Sequence, residues 1–268
     1  YVVFTDEWGG GTTARCRVND DLKWGGDSIY EIVRGKLVFR SYYKLPVAQT
    51  LQENCVSHIP SLIPVPGRNI MVQAWYQGGA SLVDFTDPRN PVEIGYFDRG
   101  PVVGTTVPPA SPVPGGFWST YWYNGEWYGS ELARNLDVVA LKPTAHLSKN
   151  EIAAAREVEV HRLNVQRQDK YRHDPSFAVV RSYLDQLVRA GKIDSRTLRK
   201  VDDAIEDAEH FAKRGKWNSA ENALNKAERA LGHSSRYDDL RDALDDLADE
   251  FDDKRHRHGG HHDNWWDD

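Results

Sequence analysis

Residues 70–97, IMVQAWYQGGASLVDFTDPRNPVEIGYF, decide how the first half of the chain folds. They contain three short runs rich in β-branched and aromatic residues: Ile70 to Trp75, Ala80 to Phe85 and Val92 to Phe97. Such residues suit a pleated, half-buried surface. The first two runs are parted by Gly78-Gly79, which can take positive φ in a tight turn. The last two are parted by Asp87-Pro88-Arg89-Asn90-Pro91, whose prolines fix φ and remove donors. The reading is an antiparallel meander.

The same pattern recurs, so a repeat architecture is expected. YVVFTDEWGGG (1–11), IMVQAWYQGGA (70–80) and EWYGSELARNL (126–136) align as strand, polar turn and next strand. Third strands follow at Asp27 to Val33, Ala80 to Phe85 and Leu136 to Leu141, and fourth strands at Lys36 to Tyr43 and Val92 to Phe97. An apolar run, Cys55 to His58 or Trp118 to Tyr123, is expected to open a repeat. Four strands at a period of tens of residues are the pattern of propeller blades.

SLVDFTDPRNPVEIGYF (81–97) resembles the LVIVD repeat: a hydrophobic strand ending in Asp, a Ser/Thr-Asp-Pro-x-x-Pro turn and another strand. LDVVALKP (136–143) looks like a decayed copy, and ENCVSH, LIPVPGRNIMVQAWYQGG, YFDRGP and WSTYWYNGEWYGSE are similar to the C-terminal blades of bacterial LVIVD proteins. The resemblance implies a β-propeller over residues 1–147, usually exported, with no settled reaction. Only two to three blades' worth of strands are present, and closure needs at least four. Blades N-terminal to Tyr1, or a second chain, are therefore expected. Asp84 and Thr86-Asp87-Pro88 read as architecture, closing the hairpin by side-chain to backbone bonds.

Near residue 145 the period changes from two to three-and-four. Ser148-Lys149-Asn150-Glu151 is a capping box. Asp174-Pro175 is expected to supply the N-cap and first helical residue for the stripe Phe177, Val180, Leu184 and Leu187, with Gly191 as stop. Further stripes run from Leu198 to Phe211, Trp217 to Leu231 and Tyr237 to Phe251. The expected fold is thus mainly β, a partial propeller of four-stranded antiparallel blades, followed by an all-α bundle. Its divisions are 1–147, a helix and linker at 148–173, the bundle at 174–253 and a His/Asp-rich tail at 254–268. Residues 178–231, with LVRAGKI (187–193) and the RGKW turn (214–217), resemble a FIMAH-type module, which implies an interaction or attachment unit on a secreted bacterial protein.

Composition excludes several functions. A formal net charge of −6, spread without a strongly basic half, argues against nucleic acid. No apolar run approaches the roughly 20 residues that span a bilayer. Neither a phosphate loop, a nucleophile elbow nor HExxH occurs in the sequence. The two cysteines, Cys16 and Cys55, are expected to share one rim as a disulfide, fitting export, with two buried thiols as the alternative.

Equivalent turn positions of the repeats point to one mouth: Asp6 and Glu7, Trp75 and Tyr76, Glu131 and Arg134, joined by Glu53, Asn54 and His58 and walled by Trp118, Trp122 and Trp127. Carboxylates with one imidazole could hold a divalent ion or serve as acid and base. Strand alternation puts Trp118, Thr120 and Trp122 on one face, and flat Trp and Tyr surfaces could stack on sugars. In the tail, His256, His258, His261 and His262 could bind divalent metal by proximity. The favoured function is an exported, non-enzymatic binding or scaffold protein at the cell surface, with a protein or glycan partner and no certain cofactor. The alternative is a metal-dependent hydrolase using Glu7, Glu53, His58 and Glu131.

Overall fold

The computed structural model describes residues 1–102, 114–167 and 170–259. Antiparallel sheets come first and helices follow, in the order that the change of period predicts. Two compact units result: residues 1–147 with 155–172, and residues 148–154 with 173–268.

The first unit holds three antiparallel sheets. Sheet 1 is β1 (Val2–Thr5), β2 (Asp27–Val33) and β3 (Lys36–Tyr43). Sheet 2 is β4 (Ser61–Ile63), β5 (Ile70–Ala74), β6 (Ala80–Asp84) and β7 (Val92–Phe97). Sheet 3 is β8 (Phe117–Tyr123), β9 (Glu126–Glu131) and β10 (Asn135–Ala140). The meander of residues 70–97 is therefore β5, β6 and β7, and among the described residues only sheet 2 has four strands.

One expected strand is misplaced. Sheet 2 opens with β4, not with Cys55 to His58. That run laces neighbouring elements together: Arg15 N–H donates to Cys55 O at 3.0 Å, Ser57 N–H to Gly25 O at 2.8 Å and His58 N–H to Ala74 O at 3.0 Å. Its apolar residues satisfy a composition rule for strands, but its backbone partners lie in three different places, so no ladder forms.

Sheet 2 is covered on both faces. Ile29 and Tyr43 of sheet 1 join Met71, Trp75, Val83 and Phe85 in one core cluster. On the other face Phe97 meets Phe117 at 6.0 Å and Trp127 at 5.8 Å. The Cys16–Cys55 disulfide lies in the first of these clusters and spans 39 residues of sequence. By loop-closure entropy such a link is worth about 3–4 kcal/mol. The Asp84 turn is built as expected. The carboxylate accepts from Thr86 N–H at 2.9 Å and Thr86 Oγ1 at 2.6 Å, and Arg68 pairs with it at 2.6 Å. Burial alone would raise this carboxyl, but Arg68 and Thr86 outweigh it and hold it below the usual range.

Asp27, at the start of β2, is fully buried, and neither carboxyl oxygen has a hydrogen-bond partner. The nearby Ser57 hydroxyl bonds the carbonyls of Gly26 and Asp6 and offsets only part of the cost of burying the carboxyl. Burial therefore pushes the Asp27 carboxyl well above the usual range.

In the second unit, α1 (Lys149–Glu157) begins on the expected capping box. Glu151 N–H donates to Ser148 Oγ at 3.1 Å, and Ser148 N–H donates to Glu151 Oε2 at 2.7 Å. The other helices are α2 (Phe177–Arg189), α3 (Ser195–Ala212), α4 (Trp217–Leu231) and α5 (Asp238–Gly259). The cap of α2 is Ser176, whose Oγ accepts from Val179 N–H, and not Asp174. The serine stands one residue before the helix, where its oxygen reaches the third turn position, as a cap requires. The last helix also runs past residue 253 into the stretch read as tail. Val180, Leu184, Val201, Ile205, Leu224, Leu240 and Leu244 form the core, as three-and-four spacing predicts, and alanines on α3 and α4 let those helices approach closely.

Glu151 does more than cap. Its side chain is fully buried and takes two bonds from Arg189, at 2.8 and 2.6 Å. Arg189→Ala should therefore cost about 3–5 kcal/mol, since it strands a buried charge, whereas loss of an exposed pair such as Lys226 with Asp207 should cost under about 1 kcal/mol; chemical denaturation measures both. Asp27 gives a second test. Its folded carboxyl holds a proton more tightly than the unfolded one, so its contribution to stability is full at acid pH. That contribution falls by about 1.4 kcal/mol per pH unit as pH climbs from the unfolded value towards the raised folded one. Asp27→Asn should remove this decline, so the variant gains on the wild type between pH 4 and pH 8 when urea midpoints are compared.

Candidate functional site

Four side chains drawn from all three sheets meet at the ends of the strands. Glu7 follows β1, His58 precedes β4, Tyr76 follows β5 and Trp118 lies in β8. The Tyr76 hydroxyl donates to Glu7 Oε1. His58 Nε2 stands 3.4 Å from the same oxygen. The His58 Nδ1 bonds the Trp118 carbonyl. A carbonyl only accepts, so Nδ1 donates to it, and Nε2 faces Glu7. The rings complete the cluster: His58 lies 4.6 Å from Trp118 and 5.3 Å from Tyr76, and Tyr76 meets Trp118 edge-on at 5.9 Å.

The backbone at Tyr76 is unusual, with φ of 51°, a conformation that costs a bulky residue about 1–2 kcal/mol. Two bonds to Phe117 hold it there: Tyr76 N–H donates to Phe117 O at 3.1 Å, and Phe117 N–H donates to Tyr76 O at 2.9 Å. Glycine is required on both sides of this residue. A Cβ on Gly116 would lie 1.8 Å from the Tyr76 carbonyl carbon, and one on Gly11 would lie 2.3 Å from the phenol ring. Burial first, and then the Glu7 carboxylate, push the phenol above its ordinary pKa, so it remains a donor.

Trp118 owes its position to a β-bulge. Phe117 pairs with Glu131 and Ser119 with Ser130, leaving Trp118 as the extra residue. Strict alternation had put it with Thr120 and Trp122. Those two are buried, whereas Trp118 is 43% exposed. The bulge turns the indole out to stand beside His58 and Tyr76.

The other predicted mouth residues do different work. Asn54 supports the cluster: its Nδ2 donates to Gly11 O at 2.6 Å and its Oδ1 accepts from Gln77 at 2.8 Å. Asp6 accepts from Gly25 N–H at 2.9 Å. Glu53 accepts from the Thr50 amide and hydroxyl, at 3.0 and 2.7 Å. Glu131 accepts from the Gly116, Ala133 and Arg134 amides. Arg134 donates to the carbonyls of Gly100 and Pro101. Trp75 is buried against Tyr43 at 5.8 Å. Glu53 and Glu131 thus spend their oxygens on local loops. Among the described residues no three His, Cys, Asp or Glu side chains converge in an arrangement that could hold a metal. In α5, His256 lies 3.5 Å from Asp252. The side chain of His258, and all of His261 and His262, lie outside the described residues.

Sequence reasoning missed Gln77, Gly11 and Gly116. Gln77 bridges Asn54 and the Val102 amide, which it accepts at 2.7 Å. The triple glycine at 9–11 was the only hint of a close approach. Beside the site, Trp8 and Trp24 stack at 5.7 Å, with Arg15 at 5.4 and 5.6 Å from their rings.

The helical unit has a recognisable relative. Residues 177–253 match the FIMAH domain. The match takes in α2, α3 and α4 and continues into α5, beyond the 178–231 stretch that carried the resemblance in sequence. No curated protein and no solved structure matches the chain. Among the described residues no helix is long and apolar enough to cross a membrane.

The two glycines before Tyr76 separate backbone strain from contact. Gly10 and Gly11 both have positive φ, of 62° and 69°, but only a Cβ on Gly11 meets anything. Gly10→Ala should cost about 1–2 kcal/mol from backbone strain alone. Gly11→Ala should cost more and also displace the Tyr76 ring, which near-ultraviolet circular dichroism reads as a changed aromatic signal.

Proposed function

We propose that residues 1–147 are consecutive blades of an LVIVD-type β-propeller in an exported, non-enzymatic binding or scaffold protein, and that the FIMAH-matching helices serve as its attachment or interaction module. The Glu7, His58, Tyr76 and Trp118 cluster is the ligand contact, and its partner is a cell-surface glycan. Three features support the reading. The sheets are short, antiparallel and face to face, as blades are. A disulfide closes the first core cluster, in keeping with an oxidising compartment. The helical match belongs with an appended module.

The observation that carries the ligand class is the pairing of an exposed indole with a carboxylate and an imidazole. Glu7 Oε1 and His58 Nε2 stand 3.4 Å apart beside the exposed Trp118 ring. A sugar ring can stack on the indole while hydroxyls at its edge bond the carboxylate and the imidazole.

The test is titration of the full chain with neutral oligosaccharides, followed by tryptophan fluorescence. Binding should weaken by at least about tenfold, equal to about 1.4 kcal/mol, in Trp118→Ala, with thermal stability unchanged because the indole is exposed. Glu7→Gln should weaken it too. Absence of saccharide binding, or binding indifferent to Trp118, would overturn the reading.

A further inference from the structure

Arg15 carries a positive charge that the fold does not match. Among the described residues it makes no ion pair and no side-chain hydrogen bond, and its Nε is buried without a partner. The neighbouring cations are already provided for. Arg17 bonds both oxygens of Asp20, at 3.0 and 2.9 Å, Lys23 lies 3.5 Å from Asp21, and Lys44 Nζ donates to the carbonyls of Asp21 and Trp24. The Arg15 guanidinium rests instead on indoles, 5.4 Å from the Trp8 ring and 5.6 Å from that of Trp24, which stack on each other at 5.7 Å. Two aromatic faces hold the planar fork in one orientation and leave its charge in place. The Nη atoms, which also lack a partner, remain in contact with solvent.

This group stands beside the Glu7, His58, Tyr76 and Trp118 cluster. Glu7 and Trp8 are consecutive residues of one turn, in which Gly10 N–H donates to Glu7 O at 3.1 Å. Arg15 N–H donates to Cys55 O at 3.0 Å, and Cys16 lies in the core cluster between sheets 1 and 2, so the loop that carries Arg15 packs over the junction of those sheets. Consecutive Cα atoms are about 3.8 Å apart, which puts Trp8 and the cluster within the span of a short oligosaccharide. We propose that Arg15 and Trp8 form a second subsite of the saccharide site, which takes an oxyanion carried by the sugar, either the carboxylate of a uronate or a sulfate ester. The inference rests on the saccharide reading of the cluster and names the class of glycan as acidic. A guanidinium gives such an oxyanion two parallel, charge-assisted hydrogen bonds. Trp8, 39% exposed, offers a face to the ring that carries it. Glu7 fixes the direction of binding: its carboxylate repels an anion on the Trp118 side, so the charged unit lies towards Arg15 and an uncharged edge of the ligand towards Glu7. With a net charge of −6 the chain as a whole does not attract polyanions, and the preference is local to this guanidinium.

Titration of the full chain with a galacturonate trimer, with its methyl ester and with a sulfated trisaccharide of neutral sugars tests the proposal, again by tryptophan fluorescence. The ester keeps the shape of the uronate and loses its charge. At least one charged probe should bind about tenfold or more tightly than the ester, and which of the two does so tells carboxylate from sulfate. Arg15→Gln should bring that probe down to the level of the ester and leave the ester itself unchanged, in a variant whose thermal transition shows it to be folded. The wild type supplies a check that needs no variant: raising the salt to about 0.5 M should weaken the charged probe and spare the ester. Charged and uncharged probes that bind alike, or a preference for charge that survives both high salt and Arg15→Gln, would overturn the inference. The two readings fail separately. Binding that depends on Trp118 but ignores charge keeps the saccharide cluster and removes the Arg15 subsite. Binding of a charged probe that depends on Arg15 but not on Trp118 keeps the anion site and removes the saccharide cluster, and no binding of any probe removes both.

Discussion

Two backbone hydrogen bonds between Tyr76 and Phe117 govern how the β unit is put together. They join the turn after β5 to the first residue of β8, and so tie sheet 2 to sheet 3. They also hold Tyr76 at a positive φ that its side chain would otherwise resist. In that conformation the phenol reaches Glu7, which belongs to the loop after β1, and sheet 1 is drawn into the same contact. Local strain at one residue is thus offset by bonds to two neighbouring sheets. The two glycines that press against Tyr76 belong to the same device, since neither position has room for a Cβ.

The chemistry of the cluster follows from this geometry. The Trp118 carbonyl accepts from His58 Nδ1, which turns the other imidazole nitrogen towards Glu7. Glu7 also holds the Tyr76 hydroxyl. A carboxylate and an imidazole thus stand beside an exposed indole. The bulge that exposes the indole is therefore as important as the residue itself. Buried acids elsewhere in the unit serve the fold: Glu131 gathers two amides of its own loop and that of Gly116 before β8, and Glu53 closes a turn with Thr50.

The helical unit follows simpler rules. Its apolar stripes at three and four spacing, its Gly191 stop and its capping box are local patterns, and each appears in the structure where the periodicity puts it. The cap of α2 shows the limit of such patterns. The sequence points to Asp174-Pro175 as the start, but the folded helix is capped by Ser176, whose oxygen meets the free amide of Val179. Glu151 is a similar case. Its capping role is written in the four residues 148–151, but its burial against Arg189 joins elements 38 residues apart.

By itself the sequence determined the strands of residues 70–97, the Asp84 turn, the change from strand to helix near residue 145 and the helical stripes, because these depend on residues a few positions apart. It also brought Glu7 and Tyr76 into one candidate list through the equivalence of turns in a repeat, with His58 and Trp118 joined to it from adjacent strands. Tertiary structure alone decided which of that list converge. Glu7, His58, Tyr76 and Trp118 meet; Glu53, Glu131 and Arg134 turn to nearby backbone. The same holds for the fate of Cys55 to His58, whose partners lie on three separate elements, and for the outward turn of Trp118, which depends on one unpaired residue in a ladder. Asp27 belongs here too, since nothing in DSIYEIV announces a carboxyl enclosed between sheets. Composition and spacing express local preference, whereas hydrogen-bond partners and burial are properties of surfaces that come together only when the chain is folded.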